Sequence, residues 1–273
     1  MNSRILRIAL PAVLVLALAG WAGYQYFIVA DSPDEVTTEA ALEQLSEDLA
    51  AEDEVEVSAD PDADEAAAGD AEPDPAEESD TAEPTATGVV GTWTVDDDFG
   101  EFAFENASGS FAGFRVDKEL FVGGVQVAVG RSGDVSGTIT IGDGQVDGGE
   151  IVVVTTSLES DIPARTGAVL DAVEADEFET ATFAITTPAT LDTVALDAGE
   201  TVAASIVGDL TIAGVTNPVT VAAEATVAEP GLALIIGTAD LTWADFGVET
   251  PSSSVGDVAD EGILEFQLVV RFG

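Results

Sequence analysis

The stretch 208–221, GDLTIAGVTNPVTV, decides the fold. Leu210 and Ile212 alternate with Thr211 and Ala213, a turn follows over Gly214-Val215-Thr216-Asn217-Pro218, and alternation resumes at Val219 and Val221. Successive side chains of a strand point to opposite faces, so this spacing puts Leu210, Ile212, Val219 and Val221 on one side of a β-hairpin. A Gly/Asn/Pro turn between two such runs means antiparallel pairing. Pro218 opens the second strand, where loss of one amide donor is tolerated.

Working outward, the same pattern recurs upstream in GTWTVD (91–96), EFAFEN (101–106), GFRVDKEL (113–120), VQVAVG (125–130), SGTITI (136–141) and EIVVVTTSLE (150–159). A second series starts with ATFAITT (181–187) and continues through TVAASIVGDLTIAG, PVTVAAEATV, LALIIGTADLTWADFG and GILEFQLVVRFG. Turn residues such as Gly142-Asp143-Gly144 and Pro230-Gly231 separate them. Many short strands at this spacing give an all-β sandwich or barrel. The one interruption, IPARTGAVLDAVEADEFET (162–180), carries a small apolar helical face at Ala168, Val169, Ala172 and Val173.

These residues resemble the YceI-like family, lipocalin-like barrels that bind polyisoprenoid lipids. The hairpin matches the family's GDLTIxGVTxPVT wording, and GTWTVD looks like its opening strand. SFAGFRVDKEL (110–120) with AVGRSGDVSGTITI (128–141) is similar to its second and third strands, and ADFGV (244–248) to its DFG-containing strand end. The helical interruption stands where the family carries RDxHL…F…YPxxxF. Arg165, Leu170, Phe178 and Thr182-Phe183 take comparable places, but the aspartate and histidine are missing. The resemblance covers nearly all of 88–273. It implies an antiparallel lipocalin-like β-barrel with one short helical insertion. Such a barrel sequesters or carries an apolar isoprenoid-type lipid, a polyisoprenoid or quinone-like molecule, with no catalysis and no cofactor. The alternative is a structural or adhesive β-sandwich displayed on an acidic stalk.

In a barrel of about eight strands, inward faces either fill the lumen or line a cavity for one ligand. Alternation puts Phe102 with Phe104, Phe183 with Ile185, and Leu264, Phe266, Leu268, Val270 and Phe272 each on a common face. From the residues alone these stripes are core. The resemblance turns them into a cavity wall made by Phe102, Phe104, Phe114, Phe178, Phe183, Ile185, Leu210, Ile212, Phe246, Leu264, Phe266 and Leu268, with Trp93 and Trp243 toward the barrel's ends. Arg131 and Arg165 are the candidates for a ligand head group, salt bridges to the abundant carboxylates being the competing role.

Composition excludes much else. With no Cys and no His there is no disulfide, no thiolate nucleophile, no Cys/His zinc site and no Ser-His-Asp triad. The formal charge of −46 repels nucleic acid and anionic substrates. A carboxylate-based hydrolase stays conceivable, but no pair of acids stands out. Asp96-Asp97-Asp98 and Asp143…Asp147…Glu150 lack EF-hand spacing, so no metal is expected. So acidic a chain fits either a saline habitat, where salt screens self-repulsion, or a generally acidic proteome.

Three segments follow. Residues 1–30 read as an N-terminal transmembrane anchor: Arg4 and Arg7 precede an apolar run from Ile8 to Val29 broken only by Gln25, and about 33 Å of helix spans a hydrocarbon core. The arginines hold the N-terminus in the cytoplasm, which makes the remainder extracytoplasmic at the cell membrane. A signal peptide cleaved at Ala17-Leu18-Ala19 is the alternative. Residues 31–87 hold 22 Asp or Glu and no Lys or Arg, and read as a disordered acidic linker of roughly 40 Å coil span. Within it Leu42, Leu45 and Leu49 have helical spacing, read as a short fraying helix. Residues 88–273 are the barrel.

Overall fold

The computed structural model of the chain describes residues 32–57, 88–100, 102, 104, 108–121, 123–250, 252–253 and 256–273. The anchor expected within 1–30 and the linker residues 58–87 lie outside them. Among the described residues no helix is long and apolar enough to cross a membrane.

Among the described residues thirteen strands form one sheet. They are β1 (Gly91–Val95), β2 (Phe111–Leu120), β3 (Gly124–Ser132), β4 (Val135–Gly142), β5 (Gln145–Val154), β6 (Glu159–Ser160), β7 (Thr180–Thr187), β8 (Ala189–Thr190), β9 (Val202–Ile212), β10 (Val215–Glu229), β11 (Leu232–Thr242), β12 (Ser252–Ser253) and β13 (Gly256–Phe272). Neighbours run β1-β4-β5-β7-β9-β10-β11-β13, and β13 pairs back onto β1. That ring of eight antiparallel strands is a closed barrel, which removes the sandwich alternative and leaves no free edge in the ring. β13 is long enough to serve two partners on its second edge: its first half pairs β2 from Gly256↔Leu120 to Gln267↔Phe111, and its last residues pair β1 from Val270↔Val95 to Phe272↔Trp93. The end carrying the β2–β3 and β9–β10 turns is called upper here, and the end carrying the β4–β5 and β10–β11 turns lower.

The deciding hairpin is present with a tighter turn than expected. β9 runs to Ile212 and β10 starts at Val215, so only Ala213 and Gly214 lie between, with φ of 49° and 72°. Two consecutive positive φ angles give the turn handedness that matches strand twist. Residues 215–218 are therefore strand, and Pro218 pairs Asp209 above Ala222, where β10 meets β11. Its missing donor faces no partner strand there.

Two further expectations change. Of EFAFEN, Phe102 and Phe104 are described and belong to no strand, because β1 already occupies the ring edge between β4 and β13. The helical interruption is a shorter helix, Pro163–Ala172, opened by proline in its first turn.

The acidic segment is not wholly a loose linker. Residues Thr38–Val57 form a helix, and Leu45 is fully buried against the outer barrel wall with Ala41. They pack on Leu232, Leu234, Ile236, Val269 and Phe99. The reason lies in β11, whose run Leu232–Ile236 is apolar on both faces: one face needs the lumen and the other needs a cover.

The lower end is solid core. Trp93, Val95, Ile139, Ile141, Val146, Leu191, Leu196, Val202 and Val270 are all buried in one cluster. Trp93 seals it, stacking edge-on against Phe272 at 5.3 Å and donating its indole N–H to the Val89 carbonyl at 2.9 Å. A short helix, Thr193–Asp197, closes the floor, N-capped by Asp192, which accepts from the Ala195 amide.

Candidate functional site: a two-chambered apolar cavity

The upper half of the lumen is hollow. A deep chamber of about 130 Å³ is walled by Phe114 on β2, Ile151 and Val153 on β5, Phe183 on β7, Leu210 and Ile212 on β9, Val219 and Val221 on β10, Leu241 on β11, and Leu264, Phe266 and Leu268 on β13. Above it a chamber of about 240 Å³ is walled by Val116, Ala128, Ala168, Val169, Ala172, Val248 and Val258, with Lys118, Ser160, Arg165, Glu249 and Thr250 at its polar margin. Phe114, Val173 and Trp243 border both. Along β2 the two linings run from Ala112 to Lys118, roughly 20 Å at strand rise.

The room exists because large rings lie against the wall instead of crossing the lumen. A Cβ on Gly130, Gly208 or Gly237 would come within 2.5, 2.5 and 2.4 Å of the Phe114, Phe183 and Phe266 rings respectively. Each ring thus covers a glycine on the neighbouring strand. Trp243 is set by the 3₁₀ turn Trp243–Phe246 and meets Phe114 edge-on at 5.6 Å, so these two rings form the waist between chambers. Such a wall gives a guest apolar contact and shape, with almost no hydrogen bonds.

At the margin, Arg165 donates to both oxygens of Asp161 at 3.1 Å. Lys118 makes no ion pair among the described residues. Its ammonium is held below the usual lysine range, first by partial burial and next by the Arg165 charge, with Asp161 acting in opposition. A cation in that state gains from an anionic neighbour.

Of the expected wall residues, Phe114, Phe183, Leu210, Ile212, Leu264, Phe266 and Leu268 line the deep chamber, and Arg165 borders the upper one. Ile185 packs against the solid core cluster, and Phe246 is buried in the cluster behind Trp243. Phe178 lies on the β9–β10 turn at Gly214, and its carbonyl accepts from the Thr155 hydroxyl at 2.6 Å. Phe102, Phe104 and Arg131 are corrections, since all three sit on the outer wall. Arg131 follows the inward Gly130 on β3 and so points outward, where it and Arg115 clamp the buried Glu265 at 2.8 and 3.3 Å. Phe102 covers Gly133 and tilts against Phe111, and Phe104 offers its ring and its carbonyl to Arg131.

Ile151, Val153, Val219, Val221, Leu241 and Trp243 also line it without having been assigned to it. Val219 and Val221 share the hairpin face of Leu210 and Ile212, so the alternation already pointed to them. Among the described residues no three acidic side chains gather as metal ligands would.

Solved structures similar to this chain include a polyisoprenoid binding domain from Saccharophagus degradans, 17% identical, with a TM-score of 0.49 over 66% of this chain and 98% of that one. Another is BcnA of Burkholderia cenocepacia, 21% identical, with a TM-score of 0.42 over 58% and 95%. The YCEI protein of Campylobacter jejuni is 18% identical, with a TM-score of 0.40 over 53% and 84%. Among curated proteins none matches. The YceI-like domain model matches residues 102–270, well over half of the chain, from the approach to β2 almost to the end of β13. The chain belongs to the YceI-like domain family.

Proposed function

We propose that this protein is a membrane-tethered, extracytoplasmic carrier that takes up the apolar tail of an isoprenoid-type lipid, a polyisoprenoid or quinone-like molecule, and performs no chemistry on it. The observation that carries this reading is the pair of adjoining apolar chambers walled by Phe114, Phe183, Phe266 and Trp243 above a solid barrel floor. Burial of a hydrocarbon chain there is favoured by about 25 cal/mol per Å² of apolar area removed from water. Length and shape of the tail then set selectivity, because the wall offers so few polar partners. Lys118 and Arg165 at the upper margin suit a phosphate or other anionic head group. The similar domain from Saccharophagus degradans is itself described as polyisoprenoid-binding, which is consistent with this reading.

The test is organic-solvent extraction of protein purified from its native membrane, followed by mass spectrometry. A stoichiometric prenyl lipid that disappears on Leu268→Trp, which fills the deep chamber, is the expected result. Recovery of no lipid, with apolar dyes and prenyl alcohols also failing to compete for the lumen, overturns the reading.

A further inference from the structure

We infer that the upper end of the barrel rests on the bilayer surface, with the β2–β3 hairpin tip dipping into the interfacial region beside the cavity's margin. The inference rests on the membrane-tether part of the proposed function, and on where the chain leaves the barrel. Ser32 is pinned to the outer wall by hydrogen bonds to the Val127 carbonyl on β3 and to Asp161. Pro33 and Asp34 continue downward, their carbonyls accepting from Arg115 and Arg131, and the helix Thr38–Val57 then lies across the outer face of β11. Read backward, the chain climbs toward the upper end. The apolar run Ile8–Val29 stops three residues before Ser32, a reach of at most about 10 Å. Val127 is three residues from Gly124 at the hairpin tip, also about 10 Å along the strand. An anchor embedded up to Val29 therefore brings the bilayer surface to the hairpin.

The hairpin tip is built for that neighbour. Phe121 and Val125 are 63% and 64% exposed on either side of the turn. A large ring and a β-branched side chain held out in water on a tight turn suit the headgroup boundary, where apolar groups gain from partial burial. The lower end also carries exposed apolar residues, Val90 and Val194, so apolar exposure alone does not choose an end. The exit of the chain at Ser32 chooses it. Acidic neighbours at the tip, Asp117, Glu119 and Asp257, specify a zwitterionic surface over an anionic one. In this posture the upper chamber, bordered by Val116, Lys118 and Val258 of the same strands, opens toward the lipid that would fill it.

The chain has no cysteine, so single labels can be placed without background. The full chain carrying Phe121→Cys or Val194→Cys is labelled with an environment-sensitive dye and reconstituted in phosphatidylcholine vesicles containing a nitroxide-bearing lipid. The dye at position 121 should shift to the blue and lose most of its emission to the quencher, while the dye at position 194 keeps its emission. Equal quenching at both positions, or an unquenched dye at 121 in protein that floats with the vesicles, overturns the inference while leaving lipid carriage intact. Failure of the full chain to float with vesicles at all removes the tether reading, and this inference with it.

Discussion

Replacing Glu265 by Gln is the sharpest test of how the outer wall is held. The Glu265 carboxylate is 1% exposed; one oxygen faces Arg131 at 2.8 Å and the other faces Arg115 at 3.3 Å. Further donors of the two guanidiniums go to the carbonyls of Pro33, Asp34 and Phe104. Glu265→Gln keeps the shape but leaves two buried cations facing one neutral amide, which should cost about 3–5 kcal/mol. At about 2–4 °C per kcal/mol for a domain of this size, the melting temperature falls by roughly 6–20 °C. The triple change Arg115→Met, Glu265→Leu, Arg131→Met should recover most of that loss, because apolar replacement removes the desolvated charges altogether. Thermal and urea unfolding of the three proteins decide the matter. A Glu265→Gln loss below about 1 kcal/mol, the level of a solvent-screened pair, refutes the buried-charge account. Lipid content normalised to folded protein should not change, since none of the three residues borders the deep chamber.

Other outcomes follow from the same geometry. Gly130→Ala places a methyl 2.5 Å from the Phe114 ring and forces the ring into the waist, so dye or lipid uptake should fall sharply for a stability loss of about 1–3 kcal/mol; unchanged uptake in a folded variant contradicts the waist. Leu45→Ala should cost about 2–5 kcal/mol and make residues 33–57 an early target of limited proteolysis; an unchanged digestion pattern would show that the helix is not held by that contact. Lys118 has a folded-state pKa below its unfolded value, so the unfolded chain binds the extra proton between the two and stability rises with pH across that alkaline window. Lys118→Gln should flatten that rise in lipid-free protein, as read from melting temperatures between neutral and alkaline pH. Adding salt to a dilute buffer should raise the melting temperature by screening the repulsion within a chain of net charge −46; an unresponsive melt removes self-repulsion as a factor.

How much of this was legible beforehand divides by physical cause. Period-two alternation reports a strand's two faces, so the hairpin and β13 yielded their inward residues directly, seven of which now line the deep chamber. Alternation does not report whether a strand finds a partner. EFAFEN has the pattern and no vacant ring edge beside it; Phe104 lies against Arg131 of the outer ion pair instead, and Phe102 covers Gly133. The acidic segment misled for a related reason. Its own composition offers too little apolar surface to fold, and the surface it docks on belongs to β11, some 180 residues later in the chain. Arg131 stood out because cations are scarce, but the adjacent Gly130, small enough to admit a ring, was the residue that faced the lumen.

One strand sets how freely this cavity can be reshaped. The end of β13 is bonded on both edges by β11 and β1 beside the packed floor, whereas its first residues, before β11 joins at Glu261, face β2 through a register shift between Val258 and Gly262. Rigid closure and adjustable girth are therefore assigned to different halves of a single segment. Substitutions at Val258, which lines the upper chamber, should change that chamber's shape without disturbing the clasp at Val270 and Phe272, so cavity shape and folding should be separable properties.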